Sequence, residues 1–298
     1  MAIQSLEVGD ARVGRDGFLR LAFELRGART VLTERLFTLP LQAMEPIPLD
    51  RDGSLLLMLL NPTGGLVGGD HLKTELTLGA GAHVCLTTPS ATKVYRTLGP
   101  PAVQETKVSL GPGAVMEYLP DHVIPHPGAA LWQSLSVELS PESLALLVDG
   151  VAFGRMARGE RWRFGEIDSR MLVRADGVPC LIDRMRLNPE VRKADLPAAA
   201  ARAGGLGGTE GFGYLASFVV VARRSIEWRS LSDELQRELE SSPNSSALLS
   251  GVSLLARHGL VVRLLARTAY DLNETIDRLW SLSRRLLLDL PPLDLRKF

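Results

Sequence analysis

The side chains in this sequence that are best suited to bind an ion or take part in a reaction are carboxylates. They lie beside glycine, proline or arginine, at the ends of predicted strands. They are Asp70, Glu117, Asp121, Asp149, Glu160 and Asp183. Taken singly, each is accounted for by a salt bridge at a sheet edge, which contributes little to stability. Taken together, they could line a polar path for a hard or borderline cation, because such ions prefer oxygen ligands. The residue types alone leave both interpretations open.

Histidine and cysteine form two further candidate pairs of metal ligands. His83 and Cys85 are two residues apart and so share one face of a strand, although free cysteine is usually a buried core residue. His122 and His126 lie in a segment where two prolines forbid a helix. A rigid loop could aim both rings at one ion, and solvated loop histidines are the alternative.

Ser90 and Lys93 have the Ser-x-x-Lys spacing of serine acyl-enzymes, in which a helical turn brings nucleophile and base together. The companion motifs of those enzymes, Ser-Asp-Asn and Lys-Thr-Gly, are absent from the sequence. A structural or binding role is therefore favoured for this segment. A serine-type hydrolase is the alternative function.

The most unusual stretch is Asn-Pro-Thr-Gly-Gly-Leu-Val-Gly-Gly-Asp at residues 61–70, with four glycines in six positions. Glycine costs roughly 0.5 to 1 kcal/mol relative to alanine inside regular structure, so the run indicates positive φ angles or a close approach of another group. Gly64 and Gly69 have the spacing of a phosphate-binding P-loop, but Asp70 and His71 follow where lysine and serine or threonine are required. We therefore predict a loop between two strands that presents Asp70.

The elements that must position these residues are mainly strands. From residue 4 to residue 222 apolar and polar residues alternate in short runs, each closed by a turn signal. The turn signals are Arg26-Gly27, Gly79-Ala-Gly81, Gly111-Pro-Gly113, Asp149-Gly150 and Asp176-Gly177. The pattern predicts an all-β sandwich, barrel or solenoid. The similar turns at Gly79 and Gly111 form a weak internal repeat, which is compatible with a solenoid.

Helical periodicity appears only near the C-terminal end. Residues 230–240 are predicted as one helix with Ser232 as its N-cap, and residues 273–288 as a second helix with Asn273 as its cap. Residues 250–266, which lie between them, return to strand-like alternation.

The composition limits the class of protein. The chain has 298 residues, 45% of them apolar, and a formal net charge of zero, so it can bury a sizeable core and has no electrostatic footprint for nucleic acid or an anionic membrane. Two cysteines fit a reducing compartment, no signal peptide is visible, and the apolar runs are too short to span a bilayer. We expect a soluble cytoplasmic protein that binds neither nucleic acid nor membrane.

No linker-like stretch divides the chain, so a single domain over residues 1–298 is predicted. Residues 192–213, rich in alanine and glycine, are expected to form a helical or irregular excursion. Residues 291–298 are expected to form an extended tail.

Several motifs, taken in chain order, are together similar to the urease accessory protein D family, also called H. They are the glycine stretch at residues 61–70; Thr87-Thr-Pro-Ser-Ala-Thr-Lys-Val-Tyr-Arg96; Glu117-Tyr-Leu-Pro120; Gly154-Arg-Met-Ala-Arg-Gly-Glu160; Leu181-Ile-Asp-Arg184; and Ser253-Leu-Leu-Ala-Arg-His-Gly-Leu-Val-Val-Arg263. They span most of the chain, and the first two are long and unusual. The sequence departs from the family pattern at residues 121–127, where the two loop histidines offer a nickel-affine segment particular to this chain.

The resemblance implies a non-enzymatic scaffold, built as a mainly β, helix-like stack of short strands with about two helices in the C-terminal half. It implies binding to apo-urease and to accessory protein F, with the GTPase accessory protein G recruited through F. It also implies no permanently bound cofactor, with nickel(II) in transit along a water-filled route. The residues expected to line that route are Asp70, Asp149, Asp183, Thr88 and Thr92, with His122 and His126 as weaker candidates.

Overall fold

The computed structural model describes residues 15–49, 53–189, 209, 211–241 and 245–295. These residues contain twenty β-strands and two α-helices. The strands are β1 Asp16–Arg26, β2 Arg29–Thr38, β3 Gln42–Ala43, β4 Ile47–Pro48, β5 Leu55–Leu60, β6 His71–Leu78, β7 His83–Thr87, β8 Thr92–Val94, β9 Ala102–Leu110, β10 Val115–Leu119, β11 Val123–Pro125, β12 Ala130–Leu139, β13 Leu144–Ala152, β14 Gly154–Arg155, β15 Glu160–Arg161, β16 Glu166–Ala175, β17 Val178–Leu187, β18 Tyr214–Ala222, β19 Leu248–Leu254 and β20 Gly259–Ala266. The helices are α1 Trp228–Glu240 and α2 Ala269–Leu288.

The strands form two large sheets between which the chain alternates. The first sheet has the order β17-β16-β12-β9-β6-β1-β2, and the main path of the second is β19-β20-β18-β13-β10-β7-β5-β3. Within each sheet the central strands are parallel: β6, β9, β12 and β16 in the first, β5, β7, β10 and β13 in the second. The result is a β-solenoid-like arrangement of about four turns. This confirms the mainly β prediction and selects the solenoid among its three alternatives.

Short turns, stacked on one another, join the two sheets. The backbone N–H of Gly81 donates to the carbonyl of Pro112 at 2.9 Å, and that of Gly113 donates to Pro141 at 2.9 Å. The similar turns recognised in the sequence are therefore neighbours in space. Parallel strands are joined here without helices, because each crossover passes through a strand of the other sheet.

Two apolar layers hold the molecule together. One lies between the sheets and includes Leu76, Val108 and Val137. The other lies between the second sheet and the two helices and includes Leu235 and Leu279. Neither helix in the described part of the chain is both long and apolar enough to cross a membrane.

The two helices are present, but the predicted starts and caps are wrong. Helix α1 begins at Trp228, and Ser232 lies inside it. Helix α2 begins after Thr268, whose hydroxyl accepts from the Asp271 N–H at 3.1 Å while the Asp271 carboxylate accepts from the Thr268 N–H at 3.2 Å. This capping box satisfies two terminal N–H groups, so the helix starts about one turn before Asn273.

The predicted turn at Asp149-Gly150 is also wrong, because both residues lie inside β13. A Cβ added at Gly150 would lie 3.3 Å from the Cβ of His122. The glycine therefore leaves room for another segment to approach closely, which is one of the known reasons for glycine inside a strand.

The hairpin of β19 and β20 confirms the strand-like alternation over residues 250–266. Of the predicted excursion over residues 192–213, residues 192–208 and 210 lie outside the described part of the chain. The C-terminal tail packs against α2 as far as residue 295, with Leu293 and Leu295 in contact with the apolar layer under the helices.

A buried ion pair ties α2 to the second sheet. Glu117 in β10 and Arg284 in α2 both have fully buried side chains, and their Oε1 and Nη1 atoms are 2.5 Å apart. Glu117 also lies 2.6 Å from Nε2 of His83 and accepts a hydrogen bond from the Trp280 indole. Burial alone would raise the pKa of Glu117, but His83, Arg284 and Trp280 outweigh it and the pKa is lowered. Cys85, on the same strand face as His83, is buried in this layer.

We expect Gly111→Ala to destabilise the protein by roughly 1 to 3 kcal/mol, because overpacking forces the backbone to shift. A Cβ there would lie 2.9 Å from the backbone of the stacked turn at Gly79 and Ala80. The matched control is Gly99→Ala, where an added Cβ meets nothing within 4 Å. Equal urea midpoints for the two variants would contradict the tight stacking of turns.

We expect Glu117→Gln to lower the free energy of unfolding by roughly 3 to 5 kcal/mol at neutral pH, because it leaves the Arg284 charge buried without its counterion. Since the pKa of Glu117 is lowered from 4.5, the stabilisation is present above pH 4.5 and is lost as the pH falls below it. The control is Glu238→Gln. It breaks a partly exposed ion pair between Glu238 in α1 and Arg278 in α2. Urea unfolding of both variants at several pH values measures the difference, and equal losses would refute the buried-pair argument.

Candidate functional site

A polar cavity of about 190 Å³ lies between the two sheets. Most of its wall consists of residues from the central strands of both sheets, and the glycine loop and residues 88–93 complete it. The polar side chains that line it deep between the sheets are Thr74, Gln104, Thr106, Tyr118, Gln133, Asp149 and Ser169.

Strand register explains why polar groups gather there. Because the parallel strands are in register, the same inward position of successive turns forms a row across the first sheet. One row contains Gln104, Gln133 and Ser169 as direct partners. A second row contains Thr74 and Thr106. Further along the same strands the corresponding rows are apolar, so one end of the space between the sheets is polar and the other end is core.

Asp149 is the carboxylate that contacts the polar strand residues of this cavity, which Lys93, Asp121 and Arg170 also line. Its carboxylate accepts hydrogen bonds from Gln133 Nε2 at 2.8 Å and from Ser169 Oγ at 2.5 Å. Burial raises the pKa of Asp149 and the nearby charge of Asp183 raises it further, while the bonds from Ser169 and Gln133 act in the opposite direction. Burial also raises the pKa of Tyr118 to about 12, so this phenol stays protonated at neutral pH.

Asp183 lies beside the cavity but is not part of its lining. It forms an ion pair with Arg263, whose Nη1 donates to Ser217 Oγ at 2.6 Å. Ser217 is the strand partner of Asp149, so the two carboxylates belong to neighbouring parts of one polar arrangement. The side chain of Asp183 is paired with Arg263. Its expected role along an ion route remains a prediction.

Asp70 closes the glycine loop and does not line the cavity. It is buried, and its Oδ2 accepts from the Val67 N–H at 2.8 Å, while its Oδ1 has no hydrogen-bond partner among the residues that the structure describes. Burial raises the pKa of Asp70, with the Val67 bond and the Arg15 charge opposing. The structure therefore places this carboxylate where it shapes the loop.

The glycines let the loop pack tightly against strand β8. The Leu66 N–H donates to the Lys93 carbonyl at 2.8 Å, and the Tyr95 N–H donates to the Leu66 carbonyl at 2.8 Å. A Cβ added at Gly65 would lie 2.6 Å from the Lys93 carbonyl oxygen. Gly64 has a φ of +82°. Both reasons expected for the glycine run, a positive φ and a close approach of another group, are therefore found in this loop. Gly64, Gly65 and Leu66 form part of the cavity wall.

Thr88 and Thr92 line the cavity on the side where residues 88–93 complete its wall, and their role along an ion route remains a prediction. Ser90 and Lys93 lie on the same side and are exposed, Ser90 in a bend and Lys93 in β8. The helical turn that would bring a nucleophilic serine to its lysine base is therefore missing.

His122 and His126 have different surroundings. His122 is buried and packs edge-on against Tyr214, with ring centroids 5.2 Å apart. His126 packs edge-on against Tyr95 at 4.9 Å. Burial lowers the pKa of both rings. In the described ranges, no group of three or more His, Cys, Asp or Glu side chains is arranged to hold a metal ion.

Sequence reasoning missed most of the polar cavity lining, namely Thr74, Gln104, Thr106, Tyr118, Gln133 and Ser169. The signal was present as polar residues at inward-facing positions that are otherwise apolar, at corresponding places in successive strands. It became interpretable only with the register, which shows that these positions stack.

The fold and the cavity define a β-solenoid with a partly polar cavity between its sheets, backed by two helices. A sequence model described as UreD urease accessory protein matches residues 15–297. The chain is 32% identical over 279 residues to urease accessory protein UreD of Herpetosiphon aurantiacus, covering 93% of this chain and 94% of that protein. It is 31% identical over 274 residues to the UreD of Azoarcus sp. strain BH72, covering 92% and 90%. It is 33% identical over 285 residues to urease accessory protein UreD 2 of Streptomyces griseus, covering 94% and 93%. The chain belongs to the UreD urease accessory protein family.

We expect Asp149→Asn to raise the free energy of unfolding at neutral pH by about 1 kcal/mol, the scale of common stabilising substitutions. Because the pKa of Asp149 is raised above 3.8, the folded state binds a proton more tightly than the unfolded chain, and stability falls as the pH rises from 3.8 through the folded-state pKa. The gain should therefore vanish at acidic pH, as measured by thermal unfolding.

The matched control is Asp183→Asn, which breaks the ion pair with Arg263 and should lower stability slightly. If Asp149→Asn is instead less stable than the wild type at neutral pH, the Asp149 charge does not destabilise the folded protein.

Proposed function

We propose that this protein is a urease maturation factor: a non-enzymatic scaffold that binds apo-urease and the accessory proteins F and G and helps nickel(II) reach the urease active site. The observation that carries the proposal is the partly polar cavity between the two sheets, with an ionisable carboxylate in its wall, inside a chain of the UreD family. The cavity provides the path, and nickel(II) is cargo.

The chemistry of the lining suits transit. The cavity offers carboxylate, amide, hydroxyl and phenol groups, and such oxygen donors bind a borderline divalent ion more weakly than a cage of imidazoles and thiolates. Asp149 is an ionisable carboxylate among them, and a cation beside it would favour its charged form. A role in binding a passing ion would account for a carboxylate kept in this cavity although burial raises its pKa.

The other predicted residues have supporting roles in this proposal. Thr88 and Thr92 line the cavity beside the glycine loop. Asp183 contributes charge near Asp149, and Asp70 holds the loop that forms one wall. His126 lies against Tyr95, at the outer side of that loop.

Two open ends of the solenoid support binding to two partners. At one end the edge strands and their connection expose Phe37, Leu39 and Ile47. At the other end the edge strands β17 and β19 expose Ile182, at 76% of its surface, and Leu249. Exposed apolar side chains beside unpaired strand edges are typical of protein-binding surfaces. We assign these ends to apo-urease and accessory protein F, with G recruited through F.

The test is co-expression of apo-urease and accessory proteins F and G with the wild-type chain, without it, or with Asp149→Asn. We expect nickel per urease to fall at least about tenfold without the chain and substantially with Asp149→Asn, since losing a group that tunes a metal site typically costs 10- to 100-fold. Nickel is measured by mass spectrometry, and complex assembly by size-exclusion chromatography.

The control is Asp233→Asn on the exposed face of α1, which should load urease as well as wild type. Full loading without the chain would reject the maturation role. Full loading with an assembled Asp149→Asn complex would reject the carboxylate path while leaving the scaffold role in place.

A further inference from the structure

The chain crosses between the two sheets on two opposite sides of the solenoid, and the crossings differ in length and in charge. The short turns between β6 and β7, β9 and β10, and β12 and β13 contain no lysine or arginine. The connections that lead from the second sheet back to the first are longer, and we call the surface that they form the lateral face. They are residues 61–70, 88–101, 120–129 and 153–165.

The exposed charged residues of the lateral face are all cations. Its carboxylates are withdrawn from the surface, since Asp70 is buried and Asp121 and Glu160 are half-buried. Glu160 is also neutralised by a close ion pair with Arg155. The exposed cations are Lys93, Arg96, Arg158 and Arg163.

These four cations differ from other exposed arginines of the protein. Arg184 pairs with Asp168 and Arg237 with Glu234, so their charges are balanced within the chain. In the part of the chain that the structure describes, none of the four lateral cations forms an ion pair. Uncompensated charge of one sign on one surface attracts a partner of the opposite sign and sets its orientation.

Gly128 brings cations from two different connections together. Its N–H donates to the Arg163 carbonyl at 2.8 Å, and its carbonyl accepts from the Thr97 N–H at 3.1 Å. A Cβ added at Gly128 would lie 3.3 Å from Cγ of Arg96. Arg96 and Arg163 are therefore held beside each other by backbone contacts, and the positive surface is continuous across the two connections.

The surroundings of His126 show that the charges act at one place. Burial lowers the pKa of this ring, and the charges of Arg155, Lys93 and Arg158 lower it further, against the opposing effect of Glu160. Lys93 and Arg158 come from different connections. The lateral face therefore has a positive potential at its centre.

Apolar side chains are exposed beside these cations. Leu98 is 87% exposed, and Val67 and Trp132 are exposed as well. The three are brought near one another through Thr97, which precedes Leu98. A Cβ added at Gly68, next to Val67, would lie 2.8 Å from Cγ2 of Thr97, and the Thr97 hydroxyl accepts from the Ala130 N–H at 2.9 Å.

This combination indicates the class of partner. Arginine and tryptophan are enriched where proteins bind one another, with apolar contacts at the centre and charge at the rim. The cations are exposed and come from separate connections, which suits an extended surface better than a small anion. The formal net charge of zero and the exposed apolar side chains disfavour nucleic acid.

We propose that the lateral face, through Arg96, Arg158, Arg163 and Leu98, docks an acidic surface of a partner protein that has an apolar centre. The inference rests on the proposed function in that the partner is one of the maturation proteins. It adds a third, electrostatic contact to the two apolar ends of the solenoid.

The test measures binding of the full chain to apo-urease, and to accessory protein F with and without G, by biolayer interferometry. We expect Arg158→Glu with Arg163→Glu to weaken binding of the acidic partner at least about tenfold at low salt, because it places like charges across the interface. Wild-type affinity for that partner should fall as salt is added, and the variant should lose most of this dependence.

Three further variants keep the test independent of folding. Arg158→Ala with Arg163→Ala should show a smaller loss in the same direction. Leu98→Ala should weaken the same partner about 3- to 10-fold without changing the salt dependence, as expected for an apolar interface residue. The control is Arg229→Glu with Arg285→Glu, which reverses two exposed charges on the helices and should bind every partner as wild type does.

Other occupants of the lateral face would overturn the proposal. A dimer of the isolated chain that Arg158→Glu with Arg163→Glu dissociates, seen by size-exclusion chromatography with light scattering, would assign the face to a second copy. Tight binding of a short single-stranded oligonucleotide that the same variant abolishes would assign it to nucleic acid. Wild-type binding of all the maturation proteins by the reversed variant would remove the docking role.

The outcomes separate this inference from the maturation role. If urease loading requires the chain, while the reversed variant binds and loads as wild type does, the lateral contact is wrong and the maturation role stands. If the reversed variant loses its acidic partner, while urease loads fully without the chain, the lateral contact stands and the maturation role is wrong.

Discussion

In-register stacking of parallel strands is the constraint on which the rest of this structure depends. Each turn of the solenoid presents the same inward position directly above that of the turn before, as in the row of Gln104, Gln133 and Ser169. Where the inward residues of neighbouring turns are apolar they form core, and where they are polar, as at Thr74 and Thr106, they form part of the cavity wall. The cavity is therefore a consequence of repeated choices at a few positions, made in strands far apart in the sequence.

Two buried carboxylates illustrate how differently the fold treats charge. Glu117 faces the helix layer, where Arg284, His83 and Trp280 satisfy it and lower its pKa. Asp149 faces the cavity, where it has hydrogen bonds from neutral groups and its pKa is raised. The first carboxylate is part of how α2 is attached to the sheet. Among the described residues the second forms no ion pair, although the Arg263 charge acts to lower its pKa, and a carboxylate with a perturbed pKa in a cavity is a candidate functional group.

The family motifs acquire separate physical meanings in the structure. The glycine stretch packs against β8 and closes one wall of the cavity, with Asp70 holding the loop through Val67. Glu117 anchors the helix layer, and Asp183 pairs with Arg263 across the two sheets at one end of the solenoid. Three of the six motifs, at residues 61–70, 87–96 and 117–120, contribute residues to the cavity wall.

The sequence by itself determined the strand content, the glycine loop, the existence of two C-terminal helices and the family, because alternation, glycine clusters and helical periodicity are local patterns. Asp149, Thr88 and Thr92, which the family resemblance suggested for an ion route, line the cavity, and that role remains a prediction. Only the tertiary structure decided that the Asp149-Gly150 pair lies within a strand, that Asp70 bonds to Val67 within the glycine loop, and that Gln133 and Ser169 meet Asp149. The reason is that register and the packing of one sheet on another depend on contacts between residues distant in the chain, which no local pattern encodes.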